Sequence, residues 1–268
     1  DIIFNQHASH WLRYGALGVL FVNVSIGGTL TSFAAPPVLM VAAKWNWDMA
    51  FMLSHIGWRA TIACFINAAA LVLLFRRELC AHPHLNEPSR REVPLSVSVV
   101  HVLFLAAVVV FAHHPVIFMG LFLFFLGYTT AYKAYQSPLI LREALMVAFF
   151  LAGLVVLGGM QDWWLKPALL SMDSTAVYYG ATALTAITDN AALTYLGSLV
   201  EGLSEEFKIS LGMGAVTGGG LTLIANAPNP AGAAILKVRF SDQAISAKDL
   251  FLAASLPTLV AIVCMRFI

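Results

Sequence analysis

The chain has 268 residues, 60% of them hydrophobic and only 11% charged, where an average soluble domain carries about 25% charged residues. With a mean hydropathy of +0.82, that balance excludes an ordinary soluble fold and predicts an all-α, polytopic membrane protein. A net charge of +1 leaves no basic stripe for a nucleic-acid partner, and Cys64, Cys80 and Cys264 stand too far apart for a metal site.

The chain opens on DIIFNQHASHW, with no initiator methionine, charged leader or cleavage site, and its first residue reads as a cut within a longer chain. Residues 11–43 form a broken span, in which WLRYGALGVLFVNVS leads into IGGTLTS and then Ala34-Ala35-Pro36-Pro37. Residues 45–56 are amphipathic and read as interfacial, with Trp45 and Trp47 as belt aromatics, before a span at 57–75. The polar link 77–94, flanked by Arg76 and holding Arg77, Arg90 and Arg91, is cytoplasmic by the positive-inside rule. It separates a first part, 1–76, from a second, 95–268.

Spans at 95–112 and 115–131 are joined at His113-His114-Pro115, and a link with Lys133 and Arg142 returns to the cytoplasm. A span at 143–160 reaches Gln161-Asp162-Trp163-Trp164, an outer interfacial anchor. There follow a hairpin at 175–200, a second broken span at 211–236 ending by Lys237 and Arg239, an interfacial stretch at 240–249 and a last span at 250–268. Together these make about six full or broken crossings beside one re-entrant hairpin.

The hairpin and the second broken span carry the unusual chemistry. Asp189 and Asn190 sit between apolar arms 175–186 and 191–200, each too short to cross a hydrocarbon layer of about 30 Å. A carboxylate there must face protein, water or an ion. Downstream, Gly218-Gly219-Gly220 and Asn226-Ala227-Pro228-Asn229-Pro230 interrupt an otherwise apolar segment, and the two prolines require the helix to open near residues 225–230. Irregular backbone at membrane depth is tolerated where it lines a cavity, and its free carbonyls then coordinate ions or substrates.

The two broken spans match each other. Gly27, Gly28, Leu30, Thr31, Ala34 and Pro37 correspond to Gly218, Gly219, Leu221, Thr222, Ala225 and Pro228 at one offset, 218 against 27 and 228 against 37. Loop charges run the first span outward and the second inward, the sequence sign of inverted repeats. The same offset carries Asp189 back to just before the present start, so that, with a small gap, Asp1 is the tip acid of a first hairpin.

ALTAITDNAALTYLGSLVEG followed by GGGLTLIANAPNPAG resembles the ion transporter superfamily, most closely its sodium/proton antiporter branch, over about 60 residues. Arsenite, citrate and dicarboxylate carriers belong to the same superfamily. The resemblance implies two inverted repeats, each with a re-entrant hairpin and a broken helix, and a homodimer in the inner membrane. It places the hairpin-tip motif on Thr185, Thr188, Asp189 and Asn190 and the facing break on Thr222, Asn226, Ala227 and Asn229. Dicarboxylate carriers have Ser-Asn-Thr at the tip; Thr188-Asp189-Asn190 here favours a cation or proton over an anion.

Sodium, a hard cation, takes oxygen ligands, which Asp189, Asn190 and Asn226 supply, with Thr31 and Ser32 as further contacts from the first break. Loss of water around a carboxylate favours its protonated form, so Na+ and H+ compete for one acid, and neither cofactor nor enzymatic chemistry is expected. Motifs for prenyl transfer, zinc hydrolysis, a nucleophile elbow or a P-loop are absent from the chain. A carrier of a small anion, cradled by half-helix N-termini, is the alternative. Plainer readings stand beside these. Asp189-Asn190 also suits a surface turn, the Asn226–Pro230 run an interhelical loop, and Thr29, Thr31 and Ser32 helix backbone satisfaction. His55, His101, His113 and His114 read as packed or interfacial, Asn67 as an interhelical hydrogen bond, and Arg59 and Glu143 as snorkelling charges.

Overall fold

Ser9 starts the first helix: its Oγ accepts the Leu12 amide, and the apolar run behind it stays helical over His10–Gly27 (α1). A single 3-10 turn, Gly28–Leu30, then gives way to extended backbone at Thr31. Pro36 and Pro37 restart the helix as α2, Pro36–Trp45, since proline suits a first turn whose amides lack partners anyway. Asn46, in the left-handed conformation at φ 56°, closes it. The computed structural model describes residues 3–4, 8–81, 93–112, 114–240 and 243–268. Asp1, the expected first tip acid, lies outside the described residues, as do most of the 77–94 link with Arg90 and Arg91, His113, and the side chains of Glu143 and Asp162.

Asp48 accepts the Phe51 amide and begins α3, Met49–Met52, which passes through a π-turn at Leu53–Gly57 into α4, Trp58–Leu74. These form one helix of 26 residues, Met49–Leu74. The stretch expected to lie at an interface is therefore mostly the opening of the span expected at 57–75. Its mixed polarity had hidden the continuity, although nothing between Met49 and Leu74 breaks a helix. A short helix, α5, covers Arg76–Ala81.

Two compact units result, one of Asp1–Pro83 with Arg142–Ile268 and the other of His84–Leu141. In the smaller unit α6, Leu95–Val110, packs on α7, Pro115–Ala131. Phe104 meets Phe124 and Phe125 edge-on, and His101 is packed, with Nε2 3.0 Å from Gln136 Oε1 and Nδ1 2.7 Å from Val97 O.

In the larger unit α8, Leu141–Gly158, turns by 88° into α9, Asp162–Leu170, where Trp163 is 80% exposed. The remaining helices are α10, Ser174–Thr185; α11, Asn190–Leu199; α12, Glu205–Gly218; α13, Asn229–Leu236; and α14, Ala247–Phe267. Asp173, Asp189, Ser204 and Ser246 cap α10, α11, α12 and α14 in turn. α10 lies close on α12 because Gly214 and Gly218 share a face; a methyl on either would run into the carbonyl of Tyr178 or Thr182. α11 packs on α2, with Thr194 Oγ1 donating to Pro37 O at 2.9 Å. α1 crosses α12 where Ser25 Oγ donates to Val216 O at 2.7 Å. Asn67, as the sequence suggested, bonds across helices, from Nδ2 to Asn23 Oδ1 at 3.0 Å and to Pro257 O at 3.3 Å.

The described residues form helices and no strands. Among them Met49–Leu74 and Ala247–Phe267 are long and apolar enough to cross a membrane, with α8 and α9 a third if taken as one bent span. That is fewer than the six crossings expected. The two broken spans are each divided into pieces of at most 18 residues, and α6 and α7 hold 16 and 17, about 24–26 Å at 1.5 Å per residue. The second break also begins earlier than expected. α12 ends at Gly218 rather than near residue 225, because three successive glycines hold no helical turn, and Pro228 and Pro230 mark where α13 restarts.

Candidate functional site

Residues 186–188 turn the chain between α10 and α11, with Thr188 Oγ1 donating to Leu184 O at 2.9 Å. Asp189 then caps α11 in extended conformation, and its Oδ1 accepts the amides of Ala191 at 2.8 Å and Ala192 at 3.1 Å. A helix N-terminus is where a carboxylate is held best, since free amides and the helix dipole both face it.

The break between α12 and α13 is pinned to this tip. Asn190 N donates to Ala225 O at 3.1 Å, and Thr222 Oγ1 donates to Ala186 O at 2.9 Å. Asn229 Nδ2 spans the break from within, reaching Gly219 O at 2.8 Å and Thr222 O at 2.9 Å. The Ala227 amide also lies against the Asp189 carboxyl group. Asp189 is half-buried and opens on a groove of about 400 Å³. Thr188, Asn226 and Ala227 border it on the same side, and Met146, Val147 and Phe150 of α8 form the facing wall.

Asn190 turns the other way. It is fully buried, and its Nδ2 donates to Ser25 Oγ at 3.4 Å. Gly219 leaves the space for this meeting, since a methyl there would strike both Ser25 Oγ and Asn190 Nδ2. Thr185, Asn190, Asn226 and Asn229 are all at least 98% buried, yet among the described residues Thr185 Oγ1 and the Oδ1 atoms of the three asparagines have no hydrogen-bond partner. An unmatched buried polar atom costs about 1–3 kcal/mol. All four belong to the tip and the break, Thr185 at the end of α10, Asn190 at the start of α11, and Asn226 and Asn229 at the far end of the break. Among the described residues no three of His, Cys, Asp and Glu come together, so a cation here would meet neutral oxygens and a single carboxylate.

The family model described as "Putative Na+/H+ antiporter" matches residues 1–268. The chain belongs to this family. The match takes in both units, the tip and the break, and the family's description is that of a transporter rather than an enzyme. No curated protein and no solved structure matches the chain.

In this family member the tip-and-break residues expected from sequence sit on two segments that meet but do not all face one point: Thr188, Asp189 and Asn226 border the groove, Asn190 and Thr222 pin the tip to the break, Asn229 spans the break from within, and Thr185 is buried at the end of α10. Thr31 and Ser32 do not join them by any hydrogen bond among the described residues; Thr31 Oγ1 instead accepts the Ala34 amide at 2.9 Å, closing its own break. Ser25 was missed. The signal lay in the repeat offset: Ser25 and its hydrogen-bond partner Val216 are 191 residues apart, the separation that relates the two broken spans.

Proposed function

We propose that the protein is a secondary transporter of the inner membrane that exchanges Na+, or a similar monovalent cation, for H+, with Asp189 as the carboxylate both ions share. The observation that carries this is a half-buried carboxylate at a hairpin tip pinned to a helix break, with Asn226 beside it on the groove and buried side-chain oxygens of Thr185, Asn190, Asn226 and Asn229 that have no hydrogen-bond partner among the described residues. Sodium needs several oxygens and no particular geometry from them; a proton needs only the acid. A loaded sodium ion holds Asp189 ionised, and a proton on Asp189 removes the charge that holds the ion. If only an occupied site can change the side it faces, exchange is coupled.

The anion-carrier alternative draws less support. The α11 amides that would cradle an anion are already occupied by Asp189. An inverted-repeat arrangement, with 175–200 as a re-entrant hairpin, belongs to the same reading. What supports it is the common 191-residue spacing of the helix ends, Gly27 with Gly218 and Trp45 with Leu236.

The test is sodium-driven proton movement in proteoliposomes. Asp189→Asn should abolish it, while Asp173→Asn, at the neighbouring helix cap of α10, should leave it intact. Antiport that survives in Asp189→Asn would remove the mechanism.

A further inference from the structure

A second groove, of about 410 Å³, runs between α1, α4 and α14. Trp11 and Gly15 line it from α1, Leu71 and Leu74 from α4, and Leu252 and Leu256 from α14. On each helix the lining residues are three or four apart, so each gives one apolar strip. Trp11, Leu74, Leu252 and Leu256 are half or more exposed. α4 ends the helix Met49–Leu74 and α14 is Ala247–Phe267, the two helices long and apolar enough to cross a membrane. An open groove between such helices meets hydrocarbon chains.

One end of the groove is cationic. Ser9 donates from its amide and its Oγ to the Glu78 carboxylate, and His10 Nε2 lies 3.4 Å from Asp249 Oδ2. These contacts draw α5 and the start of α14 against the start of α1, immediately before Trp11, and they occupy the acids Glu78 and Asp249. Arg76 and Arg77 directly follow Phe75, itself part of the groove wall, and Lys248 stands one turn before Leu252. All three are exposed, and among the described residues they make no hydrogen bond or ion pair. Such an excess of basic residues marks the cytoplasmic side of a membrane, where anionic lipids are drawn to them.

We propose that this groove binds an anionic phospholipid of the cytoplasmic leaflet. An acyl chain lies along Trp11, Leu71 and Leu256, and the headgroup phosphate sits at Arg76, Arg77 and Lys248. A zwitterionic lipid brings a cation of its own to the same mouth and is held less well. The proposal does not depend on Asp189.

The experiment is quenching of Trp11 fluorescence by lipids brominated on their acyl chains. The protein is placed in phosphatidylcholine vesicles in which a minor, matched fraction is either brominated phosphatidylglycerol or brominated phosphatidylcholine, and the Trp11 signal is the difference between the wild type and Trp11→Phe. Brominated phosphatidylglycerol should quench it about fivefold more effectively, the effect of about 1 kcal/mol, which is the attraction of a single cation near the surface. Replacing Arg76, Arg77 and Lys248 together by Gln should erase that preference, whereas Lys44→Gln, on α2, should leave it. Ala70→Phe, which fills the groove from α4 with all three cations in place, should erase it too, and it decides the matter if the triple variant does not fold. Equal quenching by the two lipids overturns the proposal, as does a preference that survives the triple variant or Ala70→Phe. Quenching by neither lipid would mean that a second copy of the chain covers the groove, and overturns it as well.

Discussion

Asp189 and Asn190 are adjacent in the chain and face opposite ways, the first onto a groove and the second into the core against Ser25. The acid is thereby left open to the groove, and the amide is enclosed beside Ser25 of α1. Asn190→Ala should keep Asp189 and its cap but remove one neutral oxygen. The expected result is a half-maximal sodium concentration for antiport raised about tenfold, the effect of about 1.4 kcal/mol of lost binding, with maximal rate reduced less. At this scale the meeting of tip and break was legible, because Asp189, Asn226 and Asn229 are polar residues in an apolar context that offers few innocent uses for them. Ser25 was not, since a lone serine in an apolar helix usually serves its own backbone and its partner lies 191 residues away.

Helices here do their work by stopping. Where α12 ends at Gly218, the unwound run from Gly219 to Pro228 offers its carbonyls to Asn190 and Asn229. Both edges of that break are visible in the sequence, Gly218-Gly219-Gly220 at the near one and Pro228 with Pro230 at the far one. Placing the opening at 225–230 gave the prolines all the weight, although a run of glycines, with no side chains to pack, stops a helix as well. Close contact between α10 and α12 has the same origin. Gly218→Ala should push a methyl against the Thr182 carbonyl and the Thr185 side chain, costing about 1–3 kcal/mol as overpacking. A lower midpoint of thermal unfolding in detergent would register it, whereas Gly153→Ala, in a helix with open space around that position, should be neutral or stabilising. The long helix Met49–Leu74 was legible only in its second half, because the polar residues of its first turns read as a membrane surface rather than as one face of a helix.

Across the larger unit, Ser25 of α1 meets Asn190 of α11, and α11 is pinned to the α12–α13 break, so an ion bound at the tip and the break would tie together segments far apart in the chain. Sodium should therefore stabilise the whole fold. At a concentration about 100 times its dissociation constant, the gain is about 2.7 kcal/mol. Unfolding should shift upward in sodium chloride relative to choline chloride, and the shift should shrink in Asn190→Ala. A midpoint that ignores sodium would argue against an ion there. All-helical construction with apolar, membrane-length helices was legible from composition and hydropathy; where each helix stops was not, because hydropathy counts apolar residues without registering a break.

One feature of the long helix sets a phase for everything after it. The wide π-turn at Leu53–Gly57 fits an extra residue into the coil, and each residue of an α-helix advances the face by about 100°. Asn67 finds Asn23 and the Pro257 carbonyl because the wide turn absorbs that residue. Rewinding the same residues as regular α-helix would swivel everything downstream by about 100°, carrying Asn67 out of register with α1 and α14 from more than two turns away. Deleting one residue together with the widening would leave the amide where it is.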